Sequence, residues 1–364
     1  MDAIYIKNDF NIDNKEFKSG ELYVSSVKMN HQLKKILDEY VKRTGLSRVY
    51  NAVKFINLDD VFKLAKIDTD FYHLLIMRYG GIGDLIALSS IIDYFDDKDI
   101  HFVTQEKYFP VFEWFENKPK LYSTSEPIFK NIKLWGLWLN KWARFKGEGI
   151  IEKGDRKNWF ELFFEFIGEN DPGEEFLRPQ LKIGRINDNK SNIQKLGHGR
   201  PSILICNKAT ASMRTCYATD IVKNIENRGK FDIFVYEINL DKNEKIENAI
   251  VIPSTDYSTF FLDCFDADMV ISVDTGALHF REGVNKPAIG LYNSFTTDSR
   301  TKYYEYTKSF DLKSDCEMQP CFIHENFKTK YCPKGNGMFA PPCFNSKYNQ
   351  TLDNQLKEIF KSEL

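Results

Sequence analysis

A turn that follows a predicted strand over 269–273 has the residue types expected of a phosphate site. Small residues there leave backbone N–H groups exposed at the start of a helix, where the helix dipole favours an anion. Ligands also bind at the carboxyl ends of strands in parallel sheets. The alternative is an ordinary helix start, with an N-cap at 274–275 and a packed histidine at 279. The location favours a ligand, and the predicted site comprises Asp274, Thr275, Gly276, Ala277 and His279.

A second turn is rich in glycine and lies between a predicted strand over 71–77 and a predicted helix over 85–95. Glycines let the backbone turn sharply and let a ligand approach closely. Asp84 follows, and it fits a general base and a helix-stabilising carboxylate equally well. The dinucleotide fingerprint is incomplete because leucine and isoleucine follow Asp84, so a hydride-transfer enzyme is disfavoured. The loop glycines on this side are Gly80, Gly81 and Gly83.

Four cysteines lie in a loop-like tail over 311–350 that is also rich in glycine and proline. Thiolates in such a loop can wrap a tetrahedral metal ion, and they are good ligands for zinc or iron. The spacing lacks the paired Cys-x-x-Cys pattern, so unligated, partly buried thiols stay as the alternative. The predicted metal ligands are Cys316, Cys321, Cys332 and Cys343.

Composition limits the function classes. The chain has 364 residues, with 50 basic and 52 acidic side chains and a net charge of −2, which gives no support for a nucleic-acid partner. The first ten residues include acids and no long apolar run, so no secretory signal is predicted. No stretch approaches the roughly 18 apolar residues of a membrane helix. We therefore expect a cytoplasmic protein, in which disulfides are disfavoured.

Strand-like and helix-like segments alternate in two series, which is typical of parallel sheets covered on both faces. The sequence thus predicts an α/β fold with two Rossmann-like lobes facing a central cleft. A polar segment over 183–200 separates them as a linker. The predicted parts are an N-terminal extension (1–70), partly helical near 33–41, a first lobe (71–190), a second lobe (200–310), and a Cys-rich tail with a closing helix (311–364).

Tryptophan and phenylalanine are dense between residues 111 and 180. Such side chains are more often core and lobe-packing residues than a platform on which a base or sugar stacks. We therefore predict that the tryptophans of this segment are buried, namely Trp114, Trp135, Trp138, Trp142 and Trp159.

Both glycine-bearing turns resemble a known family. The segment Arg78–Asp84 with its flanking strand and helix, and the segment Val273–His279 followed by Asn285–Tyr292, are similar to the signatures of the ADP-heptose:lipopolysaccharide heptosyltransferases, glycosyltransferase family 9. The resemblance covers about 71–345. It implies a GT-B fold, an inverting reaction without a catalytic metal, an acceptor on the first lobe and a nucleotide sugar on the second.

The resemblance also implies roles for residues. Asp84 takes the place of the general base, and the turn at 274–279 that of the residues holding the donor diphosphate. Arg214 stands where the family has the lysine of Lys-x-Trp-Pro, although Cys216 and Tyr217 replace Trp-Pro here. Lys208 is a second candidate for a phosphate contact. Similar tail cysteines occur in the family, and one protein-modifying branch holds iron with them.

The preferred hypothesis is sugar transfer from a nucleotide diphosphate donor to an acceptor hydroxyl. The acceptor class stays open between a glycan such as a lipopolysaccharide core sugar, a protein side chain and a hydroxymethylated DNA base. The extension is absent from the usual members, and it could also mediate oligomerisation. The alternative from another class is a non-catalytic nucleotide-sugar binder with a metal-dependent interaction tail.

Overall fold

The computed structural model describes most residues of the chain. Those residues are 3–12, 15–24, 52–58, 61–68, 70–78, 81–124, 126–128, 141–145, 157–321, 334–335 and 337–364, with single positions 35, 38, 39, 42 and 332.

The first lobe is built on a sheet in which every described strand pair is parallel. Its central strand HLLIM is apolar after its first residue because helices and loops cover both faces. One strand of this sheet, Lys63–Leu64, comes before residue 71, where the sequence predicts the lobe to begin. The limits of all the predicted parts stay predictions. The spatial order is β6 (Lys63–Leu64), β10 (Trp142–Phe145), β7 (His73–Met77), β8 (Asp99–Thr104) and β9 (Lys120–Ser123).

The second lobe has a larger sheet, and its described strand pairs are also parallel. The predicted strands over 202–206 and 269–273 have these bounds in the structure. The spatial order is β13 (Ile250–Ile252), β12 (Asp232–Tyr236), β11 (Ser202–Cys206), β14 (Met269–Val273), β15 (Ala288–Tyr292) and β16 (Thr307–Asp311).

The helices cover these sheets and are short. The helix predicted over 85–95 is two helices that meet at Leu88, α1 and α2. The closing helix packs its leucine face on a helix of the second lobe, α5. In chain order the helices are α1 (Ile82–Ala87), α2 (Ser89–Tyr94), α3 (Trp159–Ile167), α4 (Asn192–Leu196), α5 (Ala218–Asn224), α6 (Tyr257–Asp266), α7 (Gly276–Gly283), α8 (Thr297–Thr301) and α9 (Gln350–Glu363).

The N-terminal extension contains antiparallel strands that the sequence analysis did not predict. A small sheet has the order β4 (Leu22–Val24), β1 (Ala3–Ile6), β5 (Val53–Ile56), beside a hairpin of β2 (Phe10–Ile12) and β3 (Lys15–Phe17). Its apolar side chains pack on one face of the first-lobe sheet, against Leu75, Met77 and Trp142. Within the helix predicted near 33–41, positions 35, 38 and 39 are helical, and the other positions lie outside the described residues.

The two lobes meet where α1 and α7 begin. A Cβ atom on Gly83 would lie 2.7 Å from Cδ2 of His279, and one on Gly276 would overlap Ile82. One hydrophobic cluster also contains side chains of both lobes, including Leu85 and Leu278. Glycine at these two positions therefore lets the two helix starts touch.

Three of the five tryptophans predicted to be core residues are buried, namely Trp114, Trp142 and Trp159. The other two, Trp135 and Trp138, lie outside the described residues. Across the described part of the chain, no helix combines the length and apolar character needed to cross a bilayer.

Candidate active site

The predicted phosphate turn at the end of β14 contains a buried, ion-paired aspartate. Nη1 of Arg214 lies 2.8 Å from Oδ2 of Asp274 and 3.1 Å from its backbone oxygen. Burial alone would raise the pKa of Asp274, but Arg214, His279 and Arg300 hold it well below its usual range. Asp274 is therefore a carboxylate at neutral pH, and it fixes Arg214 at the mouth of the turn.

Thr275 takes the helix-capping position at this turn. It is the N-cap of α7, where its side chain accepts a hydrogen bond from the N–H of Ala277 at 3.3 Å. Its hydroxyl also lies 2.8 Å from that of Ser272. The N-cap is thus Thr275 alone, while Asp274 precedes it and binds Arg214.

His279 is buried at the interface of the lobes. Its Nδ1 lies 2.7 Å from the hydroxyl of Tyr304, and its ring centroid lies 4.7 Å from that of Trp159. Its Nε2 lies 3.8 Å from Oδ1 of Asp274, on the side where α1 begins. His279 is therefore a packed residue whose second ring nitrogen faces the phosphate turn.

Asp84 lies in the first turn of α1 and pairs with the guanidinium of Arg78. Its carboxylate folds back over Gly81, whose φ of +79° strains any other residue type. Gly83 allows the contact with His279 described above, and Gly80 lies outside the described residues. Asp84 thus lies in the first turn of a helix, at the edge of the first lobe that meets α7.

Arg300 belongs to the site although the sequence analysis did not select it. Its guanidinium lies 3.9 Å from the ring centroid of Phe295 and 4.9 Å from that of Trp159. Burial lowers the pKa of Arg300, while the charges of Asp274 and Asp84 act in the opposite direction. Its position shortly after the carboxyl end of β15 was the signal available from the sequence.

The second candidate cation, Lys208, has other contacts. Its ammonium donates to the backbone oxygen of Ile238 at 2.7 Å and lies 5.5 Å from the ring centroid of Phe339. The structure therefore brings Arg214 to the phosphate turn, whereas Lys208 contacts the loop after β12.

Two of the four tail cysteines pack beside the loop that carries Arg214. Cys321 and Cys332 join an apolar cluster with Met213. Burial raises the pKa of the Cys343 thiol to about 12, and the nearby thiols of Cys316, Cys321 and Cys332 add to the rise. The backbone oxygen of Met213 accepts hydrogen bonds from Asn293 and Ser294, so this cluster adjoins β15 as well.

Comparison with solved structures shows the fold. TibC, a dodecameric iron-containing glycosyltransferase from enterotoxigenic E. coli H10407, is 12% identical with a TM-score of 0.52, over 82% of this chain and 78% of TibC. A glycosyl transferase family 9 protein from Veillonella parvula DSM 2008 is 10% identical with a TM-score of 0.52, over 82% and 98%. E. coli ADP-heptose lipopolysaccharide heptosyltransferase II is 11% identical with a TM-score of 0.50, over 80% and 99%.

The sequence comparisons concern mainly the second lobe. No curated protein sequence matches the chain. Residues 157–332 match the family model described as glycosyltransferase family 9 (heptosyltransferase). This range includes the turn at 274–279, Arg214 and Arg300, and it excludes Asp84. The comparisons therefore show a glycosyltransferase with the GT-B fold, and the family 9 match is confined to residues 157–332, just under half of the chain.

Proposed function

We propose that this enzyme moves a sugar from a nucleotide diphosphate sugar to an acceptor hydroxyl with inversion at the anomeric carbon and without a catalytic metal. The observation that carries the proposal is the position of Arg300. It lies buried at the second lobe, and its pKa responds both to Asp274 of the phosphate turn and to Asp84 of the first lobe. The starts of α1, which carries Asp84, and of α7, which follows the phosphate turn, also touch at Gly83 and Gly276, and this contact supports placing the acid and the cations in one site.

The proposed reaction assigns the acid and the cations separate work. Asp84 accepts the proton of the acceptor hydroxyl while its oxygen bonds to the anomeric carbon. The bond from that carbon to the diphosphate breaks on the opposite face, which inverts the configuration. Arg214 and Arg300 stabilise the negative charge that grows on the leaving diphosphate. Arg78, paired with Asp84, holds the carboxylate in place.

ADP-heptose is the donor to test first, because a structure of TibC was solved with ADP-D-beta-D-heptose. The acceptor is proposed only as a hydroxyl, on a glycan, a protein or a modified DNA base. The extension packs against Leu75, Met77 and Trp142 of the first-lobe sheet. These residues lie along the strands and not at the phosphate turn. The extension therefore supports the lobe from one face.

Donor binding is tested by calorimetry with ADP-, UDP- and GDP-sugars. We expect one nucleotide class to bind, and Arg214→Gln to weaken it by about 10-fold or more, because a charged hydrogen bond to phosphate is lost. The matched variant Lys208→Gln should weaken binding less, since Lys208 contacts Ile238 and Phe339. Equal losses in both variants, or no binding by any sugar nucleotide, would contradict the proposal. Binding without turnover of any acceptor would instead favour the non-catalytic alternative.

We also propose that Cys316, Cys321, Cys332 and Cys343 hold one structural zinc or iron ion. Two observations support this site: the other three thiols raise the pKa of the Cys343 thiol, and TibC is named as iron-containing. The fit is partial. Among the described residues, the group of possible metal ligands whose atoms all lie within 4.8 Å of one another is His73, Asp99 and His101, and it includes no cysteine. A metal would draw the four sulfur atoms together and fix the loop of Met213 and Arg214.

Elemental analysis of protein purified without added metal tests this site. We expect close to one zinc or iron per chain, and a loss of most of it in Cys343→Ser. The control Cys264→Ala changes a buried cysteine of α6 and should keep the metal. A metal-free preparation from cells supplied with both metals would overturn the proposal.

A further inference from the structure

A cluster of two histidines and an aspartate lies at the amino ends of β7 and β8, at the opposite end of these strands from Asp84. His73 is the first residue of β7, and the parallel register sets it beside Asp99, the first residue of β8. Side chains alternate along a strand, so His101 lies on the same face of β8 as Asp99. The sheet itself therefore brings the three side chains together.

The three ligand atoms are close to the separation that a metal ion requires. Oδ2 of Asp99 lies 2.9 Å from Nδ1 of His73 and 3.1 Å from Nε2 of His101. Ligand bonds of about 2.0–2.2 Å to tetrahedral zinc place neighbouring ligand atoms about 3.3 Å apart. We propose that His73, Asp99 and His101 form a binding site for a divalent transition-metal ion such as Zn²⁺.

The surroundings of the histidines fit this site. The second ring nitrogen of His101, Nδ1, lies 2.9 Å from the hydroxyl of Tyr122, which is the kind of contact that orients metal-binding histidines. The ring of His73 stacks on Trp142 with centroids 4.6 Å apart, and His101 lies 4.4 Å from the same ring. His101 is buried, while His73 and Asp99 are partly exposed, so water reaches the cluster from the side of these two residues.

The positive charge of Lys120 lies where a bound metal ion would lie, next to Asp99. Its ammonium lies 2.9 Å from the same Oδ2 of Asp99, and its side chain is 60% exposed. A bound dication repels this ammonium, which is free to swing into water. Removing the lysine should therefore tighten metal binding. If the three side chains form only a structural polar network, removing the lysine should weaken that network and should not tighten metal binding.

The experiment is a Zn²⁺ titration of the full chain by competition with a chromophoric chelator. We expect His73→Gln to remove one zinc equivalent or weaken it by more than about 10-fold. We expect Lys120→Met to tighten the same equivalent. The control His198→Gln removes an exposed histidine that lies 3.4 Å from Asp232 in the second lobe, and its titration should match that of the unchanged protein.

The tail cysteines are intact in every variant, so differences between titrations report this site alone. Co²⁺ gives a second readout, because a nitrogen–oxygen site shows visible absorption without a thiolate charge-transfer band. Melting curves check that each variant is folded. The proposal is overturned if folded His73→Gln binds zinc as the unchanged protein does, or if Lys120→Met does not bind it more tightly.

Discussion

Asp84→Asn is expected to lower kcat by about 10²–10⁴-fold and to leave donor affinity nearly unchanged. An acceptor hydroxyl is a poor nucleophile at neutral pH, and asparagine cannot take its proton in the transition state. In the proposed function the donor is held by the other lobe, where Arg214 pairs with Asp274 of the turn at 274–279. The measurement pairs steady-state turnover with calorimetry of the donor found in the nucleotide screen.

A matched control separates chemistry from helix stability. Asp93 lies in α2 of the same lobe, where it accepts a hydrogen bond from Asn117 at 2.9 Å. Burial raises its pKa to about 6, so the group is still mostly a carboxylate at pH 7, and asparagine removes a negative charge from the same lobe. Asp93→Asn should keep kcat. If Asp84→Asn also keeps kcat but melts at a lower temperature, then Asp84 only stabilises the start of α1.

The strands of the second lobe were predictable because they are buried on both faces. Such strands appear in the sequence as short, uninterrupted apolar runs, and those over 202–206 and 269–273 have the predicted bounds. The helix over 85–95 was predicted as one because its apolar pattern is continuous across Leu88, where the structure interrupts it. Periodicity reports burial, and it does not report a local change of backbone direction.

The extension was less predictable. Its strands β1 to β5 are three or four residues long, which is too short for an alternating pattern to stand out from the polar residues around them. They are stabilised by pairing and by packing on Leu75 and Met77, which are remote in sequence. Only the folded chain shows that contact.

The candidate site divides in the same way. Residues of the two glycine-bearing turns were identified from local patterns, because a turn that binds phosphate is continuous in sequence. The side chains that contact these residues come from elsewhere in the chain, as Arg214 does for Asp274 and Trp159 does for His279. Arg300 has no sequence motif around it. It is identified by its burial between aromatic rings and by the effect of Asp274 and Asp84 on its pKa.

Arg300→Gln is expected to lower kcat by about 10²–10³-fold, the usual cost of removing one group that stabilises transition-state charge. The guanidinium is buried, and its Nη1 has no hydrogen-bond partner among the described residues. Buried donors in native proteins are almost always satisfied, so this nitrogen fits a hydrogen bond to a bound anion. Glutamine keeps a polar side chain there and removes the positive charge.

The decisive readout for Arg300 compares two ligands of the same nucleoside. Loss of a diphosphate contact should weaken binding of the nucleoside diphosphate more than binding of the monophosphate. A general loss of packing should weaken binding of both ligands to the same extent. Arg300→Lys should recover part of kcat because it restores the charge without the planar fork. Lys302→Gln is the control from the same segment, since Lys302 pairs with Glu161 at 2.8 Å and is about half exposed. If folded Arg300→Gln keeps its turnover, or loses affinity for both ligands equally, Arg300 supports the packing of Trp159 and Phe295 and takes no part in catalysis.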